Sequence, residues 1–453
     1  MTKLREIRTT SNYMLQKVKQ SKFFKLLYRL SWVVGTYHYL LAFFGAVRYG
    51  FPSRKLFTIG VTGTKGKSSA VEILNAVLEA AGNKTALLGT VRKKVVGETA
   101  GEKPGNTMPG RFAIQRFLRE AVRAGAEYAL LEVTSEGVLQ HRHRFIDWDA
   151  AFFLNLAPEH IERHGSFENY RAAKVSFFSS LAHSRKKKRY FFVNEDDRNV
   201  SFFSDAARAV RGGVLVLFSQ RLFLDRAVAH GLDFNDPAVR RSVNEWIVPD
   251  FNVMNAAAAE AFAESRQIPW ETFLAALRAF KGVPGRCEFV RKAPFTVVVD
   301  YAHTPDSLRA IYEAVRPERL SGKPGSLICV LGSAGGGRDK WKRPEMGKIA
   351  AAYCDALVLT NEDPFDESPG AILDEIEKGA REANDARLHQ ENIFRIFDRA
   401  EAVRKAISLA EEGDTVVMTG KGNEPTIRMA RGTTIPWSER EVVEELLRER
   451  DAK

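Results

Sequence analysis

The sequence predicts an α/β protein with two domains, each built on a parallel sheet, and a short helical region at the N-terminus. Two observations support this fold class. From Pro52 onward, short apolar runs alternate with stretches of helical periodicity, as in parallel sheets that are covered by helices on both faces. The chain also has 453 residues, whereas a single hydrophobic core rarely grows beyond about 250–300 residues. We therefore expect more than one core.

The first alternating series opens with an apolar run, a glycine-rich turn and a helix that carries Val71, Leu74 and Val77 at helical spacing. Its strands are expected at 56–61, 85–88, 128–133, 151–154, 189–193 and 214–218. The second series has strands at 295–299, 326–331, 356–360 and 415–418, with helices at about 305–315, 342–353, 370–380 and 398–410. The turn-rich segment 281–288 is interpreted as a hinge. The predicted domains are 56–284 and 285–453, after a head of residues 1–55.

The basic charge of the protein is concentrated in this head. The whole chain has a formal net charge of +12, and residues 1–55 hold eleven Lys or Arg against a single acid, Glu6, which is a net +10. The remaining residues are almost neutral, so a broad nucleic-acid-binding surface is not indicated. We expect no nucleic-acid partner.

The head also contains an uncharged run, residues 30–47, whose length is at the lower limit for a membrane span. Three interpretations stay open. One or two helices could pack an apolar face onto the next domain, or the run could cross a membrane. The third is peripheral membrane contact through residues 1–55, in which basic residues and aromatic side chains meet an anionic bilayer. The aromatic candidates are Trp32, Tyr37, Tyr39 and Phe43.

The chain has three cysteines, Cys287, Cys329 and Cys354. They form no CxxC pair and no even set, so we expect neither a disulfide framework nor a structural zinc site. A reducing, cytoplasmic setting fits this composition, with membrane association on the cytoplasmic face left open.

The glycine-rich turn, IGVTGTKGKSS at 59–69, has the composition of a phosphate-binding loop. Gly63 and Gly66 let backbone N–H groups approach phosphate oxygens, Lys67 supplies a cation, and the hydroxyl of Ser68 can ligate Mg²⁺. The strict GxxxxGK[ST] pattern is not met, because Val61 stands where its first glycine belongs. The position between a predicted strand and a predicted helix favours the phosphate-loop interpretation.

The loop GTKGKSS resembles the ATP loop of the Mur ligase superfamily. Five further stretches resemble the branch that adds the third residue of the peptidoglycan stem: 131–142, 155–174, 298–308, 337–347 and 420–424. This resemblance implies a central P-loop ATPase domain and a C-terminal Rossmann-like domain. It also implies an ATP-dependent ligase that converts a carboxylate into an acyl phosphate, which a free amino acid then attacks. The implied acceptor is a UDP-N-acetylmuramoyl-dipeptide, here called the acceptor.

The resemblance assigns the ATP and metal residues by position. The implied catalytic residues are Lys67, Glu132, His160 and Lys174. Two Mg²⁺ ions are expected, and their implied ligands are Ser68, Glu132, His160 and Lys174. Lys174 stands where the family carries a carbamylated lysine. The acid before His160, usually Asp, is Glu159 here. ATP contacts are implied for Gly63, Thr64, Lys65, Gly66, Lys67, Ser68, Ser69, Asn252, Asn255, Arg286, Asp300 and His303.

Substrate contacts are implied in the same way. Acceptor-binding positions correspond to Asn106, Thr107, Pro109, Ser135, Gln140 and Arg142, and amino-acid-binding positions to Arg338, Asp363 and Glu424. Lys340 and Arg343 are further candidates for the α-carboxylate of the incoming amino acid. The family's usual residues are replaced at Met108, Gly110, Glu136 and Asn423.

The amino-acid pocket departs further from the family. Ligases that add meso-diaminopimelate carry DNPR, whose arginine grips the distal carboxylate, and this chain has EDPF with Phe365 in that place. A phenyl ring cannot bind a carboxylate in bidentate fashion. Glu362, Asp366 and Glu367 make the neighbourhood acidic, which favours an amine-ended side chain such as lysine. The incoming amino acid is therefore expected to be lysine- or diaminopimelate-like.

The head is too short to reproduce the family's N-terminal domain, which holds the UDP group. Either the head binds uridine differently, or the acceptor is linked to a lipid. Two other functions stay open: a ligase like folylpolyglutamate synthase, and a nucleotide-gated binding protein at the membrane that no longer ligates. The zinc cysteines of the Mur-like amidotransferase branch are absent.

Overall fold

The computed structural model describes residues 31–99, 107–159, 161–321, 324–337, 339–383 and 387–452. Its helices are α1 Ser31–Tyr49, α2 Lys67–Ala80, α3 Arg111–Arg123, α4 Ser135–Leu139, α5 Ile161–His164, α6 Phe167–Ser180, α7 Val200–Arg208, α8 Gln220–Ala229, α9 Pro237–Val243, α10 Asp250–Ser265, α11 Trp270–Ala279, α12 Pro305–Ala314, α13 Pro317–Ser321, α14 Lys342–Tyr353, α15 Pro369–Arg381, α16 Arg399–Leu409 and α17 Glu439–Asp451. Short 3₁₀ turns join several of them.

The strands form two large sheets and one small hairpin. The first sheet comprises β1 Phe57–Thr62, β2 Thr85–Leu88, β3 Lys93–Val95, β4 Glu98–Thr99, β5 Tyr128–Glu132, β6 Ala150–Phe153, β7 Arg189–Asn194 and β8 Gly213–Phe218. The second comprises β9 Glu288–Arg291, β10 Thr296–Val299, β11 Leu327–Leu331, β12 Ala356–Leu359, β13 Ile393–Arg395 and β14 Thr415–Met418. The hairpin is β15 Thr426–Arg428 with β16 Thr434–Pro436.

The predicted α/β fold with two sheets is confirmed. The first sheet has the order β4-β3-β2-β5-β1-β6-β7-β8, and the second β13-β12-β11-β14-β10-β9. All pairs are parallel except those that β3, β4 and β9 make at the edges. The sequence predicted every long strand but missed these short edge strands and β13, which carry too few apolar residues to stand out.

β1 lies between β5 and β6. The chain therefore leaves β1 at a switch point, where the carboxyl ends of three neighbouring strands meet, and α/β sheets bind ligands at such points. Apolar clusters fill both faces of each sheet, because the strands are buried on both sides and consist of Val, Ile, Leu and Phe. The phosphate loop, the end of β5 and the loop after β6 thus share one rigid edge.

Helix α1 packs against α3, which is the first of the three interpretations of the uncharged run. Ala42 and Ala46 are fully buried, and a Cβ at Gly45 would lie 3.6 Å from the backbone of Arg111. Small residues on one face let the two helix backbones come close together. In the described ranges, no helix has both the length and the apolar content needed to cross a bilayer.

The cysteine expectation needs a correction. Cys329 in β11 and Cys354, which follows α14, form a disulfide with a Cα–Cα distance of 6.1 Å. Cys329 pairs with Leu357 across the two parallel strands, so the chain that enters β12 brings Cys354 alongside β11. Because 25 residues separate the two cysteines, no local motif announces the pair. Cys287 is a buried free thiol.

Close packing of α14 and α15 gives a first testable prediction. A Cβ at Gly379 would overlap the carbonyl oxygen of Pro344 on α14. Gly379→Ala is therefore expected to lower the free energy of unfolding by about 2–3 kcal/mol, since the two helices must move apart. Gly370→Ala, on the same helix, is the matched control because its Cβ would meet only the Ser368 hydroxyl at 3.7 Å. Urea unfolding should leave this control within about 0.5 kcal/mol of the parent; equal losses in both variants would contradict the prediction.

Candidate functional site

The phosphate loop connects β1 to the N-terminus of α2. Gly66 caps α2 with φ +82°, a left-handed conformation that favours glycine. Lys67, the first residue of the helix, folds back over the loop and donates hydrogen bonds to the carbonyl oxygens of Gly63 at 2.8 Å and Thr64 at 2.9 Å. Burial lowers the pKa of Lys67, against the opposing charges of Glu132 and Glu159. The loop thus holds a desolvated cation at the site where phosphate oxygens are expected.

The loop rests on two buried asparagines of α10. A Cβ at Gly66 would approach the Asn255 side-chain oxygen to 2.7 Å, which excludes any other residue at that position. Asn255 donates to the Asn252 oxygen at 3.2 Å, and Asn252 donates to the Trp246 carbonyl at 2.7 Å. Both asparagines, predicted as ATP contacts, therefore lie directly behind the loop.

Glu132 ends β5 and is almost fully buried. Its Oε1 accepts hydrogen bonds from the Ser68 hydroxyl at 2.9 Å and from the backbone N–H of Thr90 at 2.6 Å, and its Oε2 accepts from the Thr90 hydroxyl at 3.0 Å. A Cβ at Gly89 would overlap this carboxylate. A carboxylate beside a serine hydroxyl is an oxygen donor set that suits Mg²⁺.

These oxygen donors fit one Mg²⁺ ion at the end of β5, with Ser68 and Glu132 as its protein ligands. Over the described residues, no three His, Cys, Asp or Glu side chains converge tightly enough to hold a metal by themselves. Mg²⁺ usually binds through one or two carboxylates together with water and substrate phosphates. The sparse protein ligand set is therefore the one expected for a nucleotide-bound ion.

Lys174, on α6, also contacts the loop and is 1% exposed. Its ammonium nitrogen donates to the Gly63 carbonyl at 2.8 Å and lies 4.9 Å from the centre of the Tyr170 ring. Burial lowers the pKa of Lys174 well below its ordinary value, and the positive charge of Lys67 lowers it further. The Tyr170 hydroxyl shares a 3.0 Å hydrogen bond with Thr64. Lys174 thus lies against the phosphate loop in surroundings that disfavour its charged form.

Glu159 connects the two sheets at this site. Its Oε1 accepts a hydrogen bond from the side chain of Lys65 at 2.9 Å and lies 3.3 Å from His303 Nε2, in the loop after β10. Lys342 donates to the backbone carbonyl of His303 at 2.9 Å. Burial, together with the charge of Lys65, lowers the pKa of His303 to about 4. Glu159 therefore links the phosphate loop to the C-terminal half.

Arg286 and Asp300 flank the same contact from the C-terminal half. Asp300 accepts backbone hydrogen bonds from Cys287 at 2.6 Å and Ala302 at 2.7 Å, and burial raises its pKa. The guanidinium of Arg286 lies 4.1 Å from the centre of the Tyr301 ring. Asp300 thus organises the turn that carries Arg286, while the guanidinium stacks on an aromatic face beside the site.

The predicted acceptor residues form a second group. Arg142 donates to the Gln140 side-chain oxygen at 2.7 Å and to the carbonyl of Met108, between Thr107 and Pro109. The hydroxyls of Thr107 and Thr90 share a hydrogen bond at 3.0 Å, which links this group to the Glu132 site. Ser135 lies 3.1 Å from His164 Nε2. Asn106 lies outside the described residues.

The predicted amino-acid residues form a third group around Lys421. This buried lysine donates to Asp363 at 2.8 Å and to Glu424 at 2.6 Å, and Glu424 accepts a further hydrogen bond from the Tyr301 hydroxyl at 3.1 Å. Glu362 is buried, its pKa is raised by burial, and its Oε2 has no hydrogen-bond partner among the described residues. The group therefore contains one acidic oxygen that lacks a donor.

Two expectations about this pocket need correction. Arg343 is fully buried and donates to Glu367 at 2.8 Å and to Glu375 at 3.0 Å, so it is committed to the protein and not to a substrate carboxylate. Lys340 also pairs with Glu367, at 2.7 Å. The negative charge of Glu367 is therefore balanced by Arg343 and Lys340. Asp366 accepts a hydrogen bond from the backbone N–H of Arg431 at 2.6 Å. Of the three acids proposed to make the pocket acidic, Glu362 has a buried oxygen without a hydrogen-bond partner among the described residues, and Asp366 is exposed.

Arg338 and His160 lie outside the described residues. The sequence alone did not single out several residues that complete the site. Tyr170 stands one helical turn before Lys174, and that spacing could have indicated a contact. Asn155 accepts the backbone N–H of Lys65 at 2.9 Å and donates to its carbonyl at 3.1 Å. Its position just after β6, at the carboxyl edge of the sheet, is the signal that could have found it. Further residues that the sequence did not single out are Thr90, Lys342 and Lys421.

Comparison with known proteins finds a matching domain family in each half of the chain. Residues 61–263 match the Mur ligase middle domain, and residues 285–422 match the domain described as Mur ligase, glutamate ligase domain. A UDP-N-acetylmuramoyl-L-alanyl-D-glutamate–2,6-diaminopimelate ligase of Syntrophomonas wolfei is 36% identical over 90% of this chain and 81% of its own length. A UDP-N-acetylmuramyl-tripeptide synthetase of Roseiflexus is 36% identical over 88% of this chain and 80% of its own.

Solved structures show the same fold. A UDP-N-acetylmuramoyl-L-alanyl-D-glutamate–2,6-diaminopimelate ligase superposes with a TM-score of 0.54 and 24% identity, over 87% of this chain and 79% of that one. The E. coli FolC structure with ADP gives a TM-score of 0.61 and 19% identity, over 92% of this chain and 94% of that one. The domain matches and the relatives above 30% identity together decide the family. The chain belongs to the Mur ligase family, whose members are ATP- and Mg²⁺-dependent ligases.

Proposed function

We propose that this protein joins a free amino acid to a UDP-N-acetylmuramoyl-dipeptide, at the third position of the peptidoglycan stem peptide, with ATP as the driving nucleotide. Relatives that carry out this reaction cover most of the chain. The observation that carries the proposal is one continuous hydrogen-bonded path. It runs from Ser68 through Glu132 and Thr90 to Thr107, so three hydrogen bonds connect the phosphate loop to the predicted acceptor loop.

The reaction requires two group transfers. The acceptor carboxylate takes the γ-phosphoryl group of ATP and releases ADP; the amine then attacks the acyl carbon, loses a proton and expels phosphate. Lys67 is placed to balance the negative charge that builds up on the β-phosphate oxygens as the γ-phosphoryl group leaves ADP. Mg²⁺, when bound by Ser68 and Glu132, would screen the two anions from each other. Closure of the C-terminal half through His303 would exclude water, which competes with the amine.

Lys174 would act as a carbamate. Carbon dioxide adds only to an uncharged amine, so the ammonium group first loses one proton. A nitrogen–carbon bond then forms and a second proton leaves the nitrogen, which leaves an anionic oxygen ligand. Two observations support this proposal, the burial of Lys174 and the strong lowering of its pKa. We propose that the carbamate, with His160, holds a second Mg²⁺ ion. The remaining ATP contacts would come from Asn252, Asn255 and Arg286.

The proposed domains are the head, 1–55, an ATP-binding domain, 56–284, and a C-terminal domain, 285–453. The packing supports this division, because the two sheets have separate apolar clusters. We propose that the protein works in the cytoplasm, with peripheral membrane contact through the head.

The pocket is expected to prefer L-lysine to meso-diaminopimelate by at least about tenfold in kcat/KM, because Phe365 offers the distal carboxylate of diaminopimelate no donor. Both amino acids carry the distal ammonium group that the unpartnered Glu362 oxygen would accept, so this oxygen does not distinguish them. Phe365→Arg should raise turnover of diaminopimelate, and Phe365→Leu serves as the control. The backbone there has φ +52°, so both substitutions meet the same strain. Product masses in mixed-substrate assays give the ratio.

Equal turnover of the two amino acids would contradict this preference. Arg428 provides the check, since its guanidinium lies 5.9 Å from the centre of the Phe365 ring. If Arg428→Ala abolished diaminopimelate turnover alone, Arg428 would be the carboxylate contact and the lysine preference would be wrong.

The proposed function is tested by incubating the protein with Mg-ATP, UDP-N-acetylmuramoyl-L-alanyl-D-glutamate and a panel of amino acids. The expected result is a product heavier by one amino acid residue, with phosphate released in equal amount. Phosphate release without a heavier product, or glutamate addition to a folate, would overturn the proposal.

A further inference from the structure

Helix α1 presents an apolar face to solvent. Residues 37, 40, 44 and 47 follow one another at helical spacing, so their side chains share one side of the helix. Each of these side chains is about half exposed: Tyr37 54%, Leu40 45%, Phe44 55% and Val47 49%. The outward face of a helix on a protein surface is normally polar. Here the sequence from Ser31 to Val47 contains no Asp, Glu, Lys or Arg.

The protein body fixes this face outward. On the inner side, Ala42 and Ala46 are buried and Gly45 lies against the backbone of α3. Tyr39 and Phe43 flank the inner side and contact the Phe145 ring, with centroid distances of 5.0 Å and 5.4 Å. The helix cannot turn its outer side chains inward without giving up this packing. The packing of α1 on the protein therefore holds the apolar face toward solvent.

The neighbouring surface is basic. Helix α3 lies beside α1 and exposes Phe112, Arg116 and Arg123. Arg48, in the last turn of α1, and Lys55 are exposed as well. The one acid among the outer residues of α3, Glu120, pairs with Lys93 and lies 3.8 Å from Arg116. The surface thus has an apolar centre and a cationic rim.

We propose that this α1–α3 face, defined by Tyr37, Leu40, Phe44, Val47 and Phe112 with the rim Arg48, Lys55, Arg116 and Arg123, binds the surface of an anionic membrane. The helix would lie in the plane of the interface, with its apolar side chains among the acyl chains and its basic rim on the lipid headgroups. The charge complementarity of the rim selects an anionic bilayer over a second copy of the chain, whose matching face carries the same positive charge. The inference deepens the membrane contact in the proposed function and does not depend on the ligation chemistry.

The face adjoins the predicted acceptor residues. Arg111, the first residue of α3, donates to the backbone carbonyl of Gln140 at 2.6 Å and 3.0 Å, and Gln140 accepts from Arg142 through its side chain. A Cβ at Gly35 of α1 would lie 4.0 Å from His141 Nε2. Docking of the face would therefore place the acceptor-binding edge of the sheet next to the bilayer surface.

The test is co-sedimentation of the full-length protein with vesicles of phosphatidylcholine containing about 30 mol% phosphatidylglycerol, an anionic surface of the kind that attracts basic segments. We expect binding to these vesicles, weakened by raised salt, and little binding to pure phosphatidylcholine. Leu40→Asp/Phe44→Asp should weaken binding by about tenfold or more, since two inserted side chains become charged. Lys55→Glu/Arg116→Glu should weaken it by at least about fivefold per residue, on the anionic vesicles only.

The matched control is Leu222→Asp/Val228→Asp on α8, where two side chains of similar exposure, 44% and 50%, lie outside the face. This variant should bind like the parent, and thermal unfolding confirms that each variant is folded. Equal binding by Leu40→Asp/Phe44→Asp and the parent would overturn the proposal. The proposal would also be overturned if light scattering showed the parent to be a dimer and Leu40→Asp/Phe44→Asp to be a monomer, because the face would then bind a second copy of the chain. Ligation of a water-soluble acceptor should be unchanged in all variants, so a failure of ligation would count against the proposed function and not against the face.

Discussion

Lys67→Met is expected to lower kcat for ligation by about a thousandfold or more, while the protein stays folded. The lysine is the cation of the phosphate loop, and loss of one preorganised charge at the transferring phosphoryl group costs about 10²–10³ in rate or more. Its ammonium already lies over the loop, hydrogen-bonded to Gly63 and Thr64, so no other residue has to move when it engages phosphate. Phosphate release in the full ligation assay measures the effect.

The matched control is Lys187→Met, which removes an exposed lysine far from the loop in sequence and should leave kcat unchanged. A fluorescent ADP analogue separates binding from catalysis, because Asn252 and Asn255 are untouched in the variant. We expect a modest loss of ADP affinity beside the large loss of turnover. A variant that keeps more than about a tenth of the parental kcat would show that Lys67 does not stabilise the transferring group.

The second large effect is expected at Lys174. Lys174→Ala should lower kcat by about a thousandfold, because the proposed carbamate and the metal ion that it holds would both be lost. Lys174→Arg retains the positive charge but cannot form a carbamate, and it should be equally inactive. With ¹³C-labelled bicarbonate, the parent should show a carbamate carbon signal that is absent from both variants.

The pH dependence follows from the position of the Lys174 pKa. Burial and Lys67 lower this pKa, so the amine is uncharged down to a lower pH than an exposed lysine allows. As pH falls through the lowered pKa, protonation removes the nucleophilic amine, and both the ¹³C signal and the activity should fall together. An active parent without any ¹³C signal would contradict carbamylation. Activity in Lys174→Arg would contradict it as well.

Local patterns in the sequence predicted the β1–loop–α2 unit and the position of Glu132. Each of these depends on a few consecutive residues: an apolar run, two glycines, and a carboxylate directly after a buried strand. The contacts that complete the site are long-range. Thr90 and Glu132 are separated by 42 residues and Glu159 and His303 by 144, and only the folded sheets bring them together.

The pocket for the incoming amino acid shows the limit of a composition argument. Counting Glu362, Asp366 and Glu367 predicted an acidic site, yet Arg343 and Lys340 neutralise Glu367. Arg343 looked available for a substrate because a sequence does not show which charges are already paired. The resemblance identified the position of Phe365, but its exact surroundings required the structure.

The contact that Glu159 makes with both Lys65 and His303 has a thermodynamic consequence. The same Glu159 oxygen lies against the phosphate loop and the C-terminal half, and a nucleotide phosphate that reaches Lys65 would compete for its ammonium group. Nucleotide affinity and the closing equilibrium are then linked, and each must change the other by the same factor. Nucleotide binding at Lys65 would therefore change how firmly the C-terminal half is held against the phosphate loop, before any bond is made or broken.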